Sequence, residues 1–325
     1  MPPVLEVADL SIRFTTPNGI VRAVDNVSFK VEAGETLGIV GESGCGKTVL
    51  SLGIMKLIPV PPGSYTGGRI LLAGNDLVPL PEQEMRKIRG KVISMIFQEP
   101  MTSLNPVFKI GDQVGEAIAQ HQQCPRGEIR ARAVEMLRRV GIPMAEQRMN
   151  NYPHQLSGGM RQRVMIAIAL ACRPRLMIAD EPTTALDVTI QAQILKLIDE
   201  MKQELGTSVI LITHDLGVIA ANTSRVAMMY AGQFMEYAPR AAIFSRPLHP
   251  YTIGLMESLP RIDRPYKRQD RLPIISGAVP DLARLFDGCR FHERCREVLP
   301  VCRRQEPPWL ERDDPPRYVR CWQYH

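Results

Sequence analysis

The chain has 325 residues, 45% of them hydrophobic and 23% charged, which is typical of a globular protein with a substantial buried core. Its longest purely apolar run, residues 164–172, is far shorter than a membrane-spanning helix of about 20 residues. No secretory signal opens the sequence. We therefore expect a cytoplasmic protein without its own membrane span. The net charge is +6, and residues 261–325 hold 14 Lys and Arg against 10 Asp and Glu, which favours a solvated Arg-rich tail over a surface for nucleic acid or lipid.

Strand signals come first and then recur along the chain. The first 35 residues read as short strands and turns. The following later segments have the apolar composition of buried strands: 36–40, 92–97, 176–179 and 208–213.

Helical signals lie between these strands. A helix is expected from Lys47 to near Pro59, and apolar residues recur with helical spacing over 128–140 and 188–205. Residues 225–237 read as a hairpin with a turn in its middle. Strands that alternate with helices predict an α/β domain with a mostly parallel sheet.

A glycine-rich loop follows the strand at 36–40. It has the Gly-x-x-x-x-Gly-Lys-Thr pattern of a phosphate-binding loop. Its residues are Gly41, Glu42, Ser43, Gly44, Cys45, Gly46, Lys47 and Thr48. The glycines let backbone N–H groups point inward at phosphate oxygens, and the helix adds its positive N-terminal end. We expect Lys47 to reach the β- and γ-phosphates of ATP and the Thr48 hydroxyl to ligate Mg²⁺.

Two acids, Asp180 and Glu181, end the apolar strand at 176–179. Acids at the C-terminal end of a parallel strand lie at the edge of the sheet where ligands bind. We expect Asp180 to hold Mg²⁺ through water and Glu181 to be the general base that polarises the attacking water. A strand-end turn would explain the pair equally well in isolation, and the upstream phosphate loop favours the catalytic interpretation.

The stretch Leu-Ser-Gly-Gly-Met at 156–160 resembles the signature motif of ATP-binding cassette (ABC) ATPases. A Ser and two glycines at a helix start form an anion site built from N–H groups, although an ordinary N-cap has the same composition. The resemblance implies a head-to-tail dimer with two composite sites. The residues that it places against the ATP of the partner subunit are Ser157, Gly158, Gly159 and Asp187.

Other elements of the ABC family follow in the expected order. Gln98 matches the glutamine that senses Mg²⁺ and the γ-phosphate, Ala-Leu-Asp at 185–187 matches the D-loop, and His214 matches the switch histidine that contacts the γ-phosphate. Phe14 lies where the family stacks an aromatic ring on adenine, although a place in the core suits it nearly as well. The resemblance thus implies catalytic roles for Glu181, His214 and Gln98. The magnesium ligands that it implies are Thr48, Gln98 and Asp180.

Three positions depart from the common family pattern. Cys45 and Thr48 stand where Ser is common, and Met160 stands where Gln is common. Cys45 lends its backbone N–H to the loop, so its side chain should matter little. Its thiol nevertheless predicts sensitivity of the site to thiol reagents.

Nearly the whole chain resembles the ATPase subunits of bacterial dipeptide and oligopeptide importers. The segments that carry this resemblance are 97–106, 152–167, 178–193 and His-Pro-Tyr at 249–251. It implies a P-loop (RecA-like) ABC ATPase core over residues 1–260, with an N-terminal antiparallel β subdomain and a helical subdomain at about 100–160. A C-terminal extension with four cysteines, 261–325, would follow.

The same resemblance implies a complex. It consists of two membrane permeases, a second and usually distinct ATPase subunit, and a peptide-binding protein, with this chain peripheral at the cytoplasmic face of the inner membrane. Residues 101–106 are expected in the groove that receives a permease, although they could equally be scaffolding.

The permeases and the binding protein select the cargo, so nickel and oligosaccharide remain alternatives to peptide. A soluble ABC ATPase acting on nucleic acid or ribosomes is disfavoured, because the chain has one cassette and an importer-type tail, and we expect no nucleic-acid partner.

Four of the seven cysteines fall near the C-terminus: Cys289, Cys295, Cys302 and Cys321. In a reducing cytosol such a group is more typical of metal binding than of disulfides. The lack of a Cys-x₂-Cys pair disfavours a zinc ribbon, whereas four thiolates can hold an iron–sulfur cluster. Some relatives of this subgroup carry a [4Fe–4S] cluster on a tail of this spacing. Zinc and unliganded packing cysteines are the alternatives.

Overall fold

The computed structural model describes residues 2–98, 103–184, 186–259, 273–283, 287–313 and 315–325. Within these segments the strands form two sheets, one near the N-terminus and a larger one that runs through the centre of the fold. No helix in the described segments is long and apolar enough to cross a membrane.

The N-terminal sheet is antiparallel. Its strands are β1 (Leu5–Thr16), β2 (Gly19–Val31), β4 (Gly63–Leu72) and β5 (Asn75–Asp76), in the order β2-β1-β4-β5. The two strands β1 and β2 are longer than the short strands that the sequence predicts. Pairing continues past polar breaks at Asp9 and Asn26, where a positive φ of 51° and a shift in register mark bulges.

The central sheet has the order β11-β12-β10-β9-β3-β8-β7-β6. Its strands are β3 (Thr36–Val40), β6 (Ile93–Ile96), β7 (Leu176–Asp180), β8 (Ser208–Thr213), β9 (Arg225–Tyr230), β10 (Gln233–Pro239), β11 (Leu310–Arg312) and β12 (Arg317–Val319). The run from β9 to β6 is parallel, which confirms the parallel sheet predicted from the buried apolar runs. The remaining strands pair antiparallel, and β9 and β10 form the predicted hairpin.

The helices are α1 (Lys47–Ile54), α2 (Glu82–Ile88), α3 (Ile110–His121), α4 (Arg126–Arg139), α5 (Ala145–Arg148), α6 (Gly158–Leu170), α7 (Val188–Leu205), α8 (Leu216–Asn222), α9 (Arg240–Ser245) and α10 (Pro250–Glu257). Helices α4 and α7 match the two periodic segments of the sequence. Helix α1 ends earlier than predicted, because Lys56 takes a left-handed φ of 50° that interrupts the helix before Pro59.

The central sheet buries a different core on each of its faces. Alternate residues of one strand point to opposite faces, and in β7 Leu176 and Ile178 join the core shared with α1 and the N-terminal sheet. Met177 and Ala179 instead join the core formed with α3, α4, α6 and α7. The strand therefore holds both layers, which explains why it is apolar throughout and not alternating.

The C-terminal segment is built into the central sheet. Strand β12 pairs with β10, opposing Val319 to Glu236, and β11 extends the same edge. Glu236 is fully buried and forms an ion pair with Arg317 at 3.0 Å, and the Arg317 side chain is only 6% exposed. The composition change after residue 260 thus does not mark the end of the sheet.

Candidate active site

The functional loops meet at one edge of the central sheet. Val40, the last residue of β3, pairs with Thr213, the last residue of β8. Asp180, the last residue of β7, pairs with Ile212 of β8. Parallel strands place their carboxyl ends at the same edge, so the phosphate loop after β3, Glu181 after β7 and His214 after β8 lie together. Gln98 follows β6, the neighbour of β7.

The phosphate loop is closed tightly against the body of the protein. A Cβ atom added to Gly41 would lie 2.0 Å from the Met229 carbonyl oxygen. Gly46, which precedes helix α1, has φ +109°, and a Cβ there would lie 2.3 Å from the Ala23 carbonyl oxygen. Only glycine fits these two positions, which explains why the pattern demands it there.

Lys47 opens helix α1 and bends back across the loop. Its Nζ donates to the carbonyl oxygens of Gly41 at 2.7 Å and Glu42 at 3.0 Å, and the residue is only 6% exposed. The ammonium group is therefore held inside the curve of the loop at a helix N-terminus, a combination that suits binding of phosphate.

Asp180 ends β7 beside the first turns of α1. Ser51 Oγ donates to its Oδ2 at 3.4 Å, and burial raises the pKa of this carboxyl although the Thr48 hydroxyl bonds to it and opposes the shift. Within the described residues its Oδ1 atom is buried without a hydrogen-bond partner. A buried carboxylate oxygen without a partner, next to a hydroxyl, is a donor set that fits Mg²⁺.

Glu181 is the centre of the catalytic group. Gln98 Nε2 donates to its Oε2 at 3.2 Å, Thr184 Oγ1 donates to the same oxygen at 2.9 Å, and His214 Nδ1 lies 3.1 Å from Oε1. Burial alone would raise the pKa of Glu181, but the hydrogen bonds from His214 and Thr184 outweigh it and lower that pKa. The carboxylate is therefore ionised at neutral pH, as a general base must be.

Two parts of this group were not found from the sequence. Thr184 holds the general-base candidate, and Ser51 holds Asp180. Each lies only three residues beyond a residue that was singled out, Glu181 or Thr48. A hydroxyl residue three positions after each of these two residues is the sequence feature that could have identified them.

The signature segment forms a separate, outward-facing group. Ser157 caps α6 by accepting from the Met160 N–H at 3.4 Å, and Asp187 caps α7 by accepting from the Ile190 N–H at 2.9 Å. Cβ atoms added to Gly158 and Gly159 would contact Leu186 and Ile190, so the two caps are neighbours. Ser157, Gly158 and Asp187 are exposed, while Ala185 lies outside the described residues.

Phe14 and Cys45 take structural positions. Phe14 is half-buried on β1 and packs against the core under the N-terminal sheet, which leaves its predicted contact with adenine untested. Cys45 is fully buried, and burial raises the pKa of its thiol. A buried, protonated thiol is a poor nucleophile, so the predicted sensitivity to thiol reagents is wrong for this conformation.

The fold and this geometry define a class of protein: an ATPase of the ATP-binding cassette type. Comparisons with known proteins agree. A profile of the family described as ABC transporter matches residues 24–184, and one described as oligopeptide/dipeptide transporter, C-terminal region, matches residues 235–302. Among solved structures, a dimeric ATP-binding cassette bound to ADP and Pi superposes with a TM-score of 0.65 at 29% identity, over 73% of this chain and 98% of that one.

Similar proteins span almost the full length. A probable peptide ABC transporter ATP-binding protein of Sinorhizobium fredii is 52% identical over 318 residues, covering 98% of this chain and 94% of the relative. The oligopeptide transport ATP-binding protein OppD of Bacillus subtilis is 52% identical over 321 residues, covering 99% and 89%. The chain belongs to the family of ATP-binding subunits of oligopeptide and dipeptide ABC transporters, and it is an ATP-hydrolysing transporter subunit.

Proposed function

We propose that this chain powers the import of di- and oligopeptides across the cytoplasmic membrane. The observation that carries the motor role is the convergence of Gln98 and His214 on Glu181 beside the phosphate loop. The cargo rests on the match of residues 235–302 to the C-terminal region of oligopeptide and dipeptide transporters. The chain would act at the cytoplasmic face of the membrane, bound to permeases that supply the span.

The site residues take the following roles in this proposal. The loop N–H groups and Lys47 bind the phosphates of ATP, and Glu181 polarises the attacking water. Gln98 and His214 orient the Glu181 carboxylate through the two hydrogen bonds described above. Thr48, Asp180 and Gln98 would hold Mg²⁺, which supplies charge neutralisation for the transferred phosphoryl group.

A second ATPase subunit would complete each site. Ser157, Gly158 and Asp187 are exposed together at the N-termini of α6 and α7, where the helix dipoles favour an anion. Val188, next to them, is 83% exposed. An exposed apolar residue beside two exposed helix N-termini supports burial of this face against a partner, head to tail, with the ATP of that partner facing Ser157.

The permease would dock near the end of β6. Val107 is 72% exposed and Phe108 is 54% exposed, and an adjacent pair of such large apolar residues is typical of an interaction surface. The Asn105 backbone and side chain are held by hydrogen bonds with Gln113 and Val107, which fix the chain directly before Phe108. Of the predicted docking residues, 101 and 102 lie outside the described residues.

Uptake in the native cell tests the cargo. We expect deletion of the gene to abolish accumulation of radiolabelled dipeptides or tetrapeptides, and we expect wild-type chain, but not the Glu181→Gln variant, to restore it. The matched measurements are uptake of nickel and of an oligosaccharide. Normal peptide uptake in the deletion strain, with loss of one of the other two solutes, would overturn the peptide assignment and leave the motor role standing.

We further propose that the four C-terminal cysteines hold a [4Fe–4S] cluster. Cys289 and Cys302 share one small core against which Cys295 packs, and the Cys289 N–H donates to the Cys302 carbonyl at 2.8 Å. Burial, together with the neighbouring cysteine thiols, raises the pKa of Cys289 to about 12. As placed, the described side chains include no group of three or more His, Cys, Asp or Glu that could hold a metal ion. Binding would therefore displace the thiol protons and draw the sulfur atoms together.

Anaerobic purification tests this site. We expect a brown protein with an absorption band at about 400 nm and about four iron atoms per chain. Cys302→Ser should lose both, and Cys172→Ser, which lies outside the tail, should keep both. A colourless, iron-free protein that still folds would contradict the cluster; bound zinc in that protein would favour the zinc alternative, and no metal would favour packing cysteines.

A further inference from the structure

The second residue of the phosphate loop is held by side chains from the C-terminal part of the chain. The Glu42 N–H donates to the Tyr251 hydroxyl at 3.1 Å. The Glu42 carboxylate receives two hydrogen bonds from Arg294, Nη1 to Oε2 at 2.8 Å and Nη2 to Oε1 at 3.0 Å. These partners lie 209 and 252 residues further along the sequence.

The groups that hold Glu42 are themselves rigid. Tyr230 and Tyr251 are fully buried, with ring centroids 4.8 Å apart, and Phe291 packs against both rings at 5.3 and 5.5 Å. The Arg294 side chain is 6% exposed. It lies over the Tyr230 ring and also donates to the Tyr230 hydroxyl at 3.2 Å. A guanidinium fixed in this way presents its two-pronged fork to Glu42 without further ordering.

The same C-terminal segment also supports the loop indirectly, through residues 231 and 232. Arg290 donates to the Ala231 carbonyl oxygen and pairs with Asp25. Gly232, which follows Ala231, donates its N–H to the carbonyl oxygen of Cys45 in the phosphate loop at 2.8 Å. The segment around residues 289–295 therefore supports the phosphate loop both near its start and near its end.

We infer that Arg294 is a positioning residue for ATP binding, acting through Glu42. The carboxylate of Glu42 belongs to a loop that must receive a polyanion, and an uncompensated negative charge there opposes binding. Arg294 neutralises that charge by pairing with the carboxylate, while Tyr251 fixes the adjacent backbone. Arg294 directly precedes Cys295, so the four-cysteine segment is mechanically connected to the loop. The inference rests on the nucleotide binding proposed above for this loop.

Titration of the purified full-length chain with a fluorescent N-methylanthraniloyl ATP and Mg²⁺ tests the inference. We expect Arg294→Ala to weaken binding on the order of tenfold, the scale of one uncompensated charge acting on an anion through the protein. Arg294→Lys should lose less nucleotide affinity than Arg294→Ala, because lysine keeps the positive charge but not the two-pronged guanidinium. Glu42→Gln should have a small effect alone and should restore most of the affinity when added to Arg294→Ala, because it removes the charge that Arg294 neutralises.

The matched control is Arg296→Ala. Arg296 lies on the same segment, but its side chain is 67% exposed and pairs with Glu257 at 3.1 Å, so this variant should bind the nucleotide like the wild type. If Arg294→Ala does not fold, Arg294→Gln serves instead: it keeps a polar side chain at this position, removes the charge that neutralises Glu42, and should weaken binding several-fold.

Two outcomes would overturn the role of Arg294. One is wild-type affinity in Arg294→Ala or, if that variant does not fold, in Arg294→Gln. The other is a double variant, Glu42→Gln with Arg294→Ala, that binds no better than Arg294→Ala alone. Lys47→Ala separates this result from a failure of the loop assignment, because loss of affinity in Lys47→Ala with none in Arg294→Ala refutes only the role of Arg294.

Discussion

Glu181→Gln should retain ATP binding and lose hydrolysis by about 10²–10⁴-fold, the contribution of a positioned general base. The amide has nearly the shape of the carboxylate, so its oxygen can still accept from Gln98 and Thr184. Its NH₂ group would face His214, and the amide cannot accept a proton from water. Phosphate release measured at saturating ATP checks the rate. Gel filtration with ATP should show that the variant accumulates as a dimer, because bound ATP that is not hydrolysed would hold together the head-to-tail dimer proposed above.

Glu200→Gln is the control for this substitution. Glu200 is a 61% exposed side chain on α7 that pairs with Lys196 at 3.6 Å, so the same chemical change there should leave the turnover unaltered. Wild-type turnover in Glu181→Gln would refute its role as base. Loss of turnover together with loss of ATP binding would point to a damaged loop, since the two sites share one sheet edge.

Lys47→Ala should weaken ATP binding by roughly 10–100-fold. The estimate follows from the loss of a hydrogen bond to a charged group, worth about 1.5–3 kcal/mol, at about 1.4 kcal/mol for each tenfold change. The truncation also removes the two bonds that Lys47 donates to the carbonyl oxygens of Gly41 and Glu42, so the loop loses part of its closure. Equilibrium titration with the fluorescent nucleotide gives the dissociation constant.

Lys87→Ala tests whether charge alone matters. Lys87 is a 70% exposed side chain on α2 that pairs with Glu84 at 2.7 Å, and its removal changes the net charge by the same amount as Lys47→Ala. We expect its nucleotide affinity to match the wild type. Unchanged affinity in Lys47→Ala would count against the assignment of the phosphate loop.

Local patterns of the sequence were sufficient for most of the elements. The range of α7 was predicted to the residue, and so was that of β8, because the amphipathic repeat of α7 and the short apolar run of β8 are both visible in the local sequence. The length of β1 was not predicted, because pairing with its two neighbours carries the strand through the bulge at Asp9. Partner strands are a tertiary influence that overrides weak local propensity.

The contiguous parts of the site could be predicted from residue types and their spacing. The curl of residues 41–48 and the two acids at the end of β7 follow from residue types at fixed spacing, because the positive φ of Gly46 is open to glycine without strain. The sequence also implied the order of the family motifs and, through them, the class of protein.

Which side chains meet in the site depends on the assembled fold. The hydrogen bonds of Gln98 and His214 to Glu181 depend on strands that end level at one edge of the sheet, and the contact between Arg294 and Glu42 joins residues 252 positions apart. Such contacts are set by strand order and by the packing of the Tyr230 and Tyr251 rings. These are properties of the assembled fold, since no local period or motif encodes the distance between two segments that are remote in the chain.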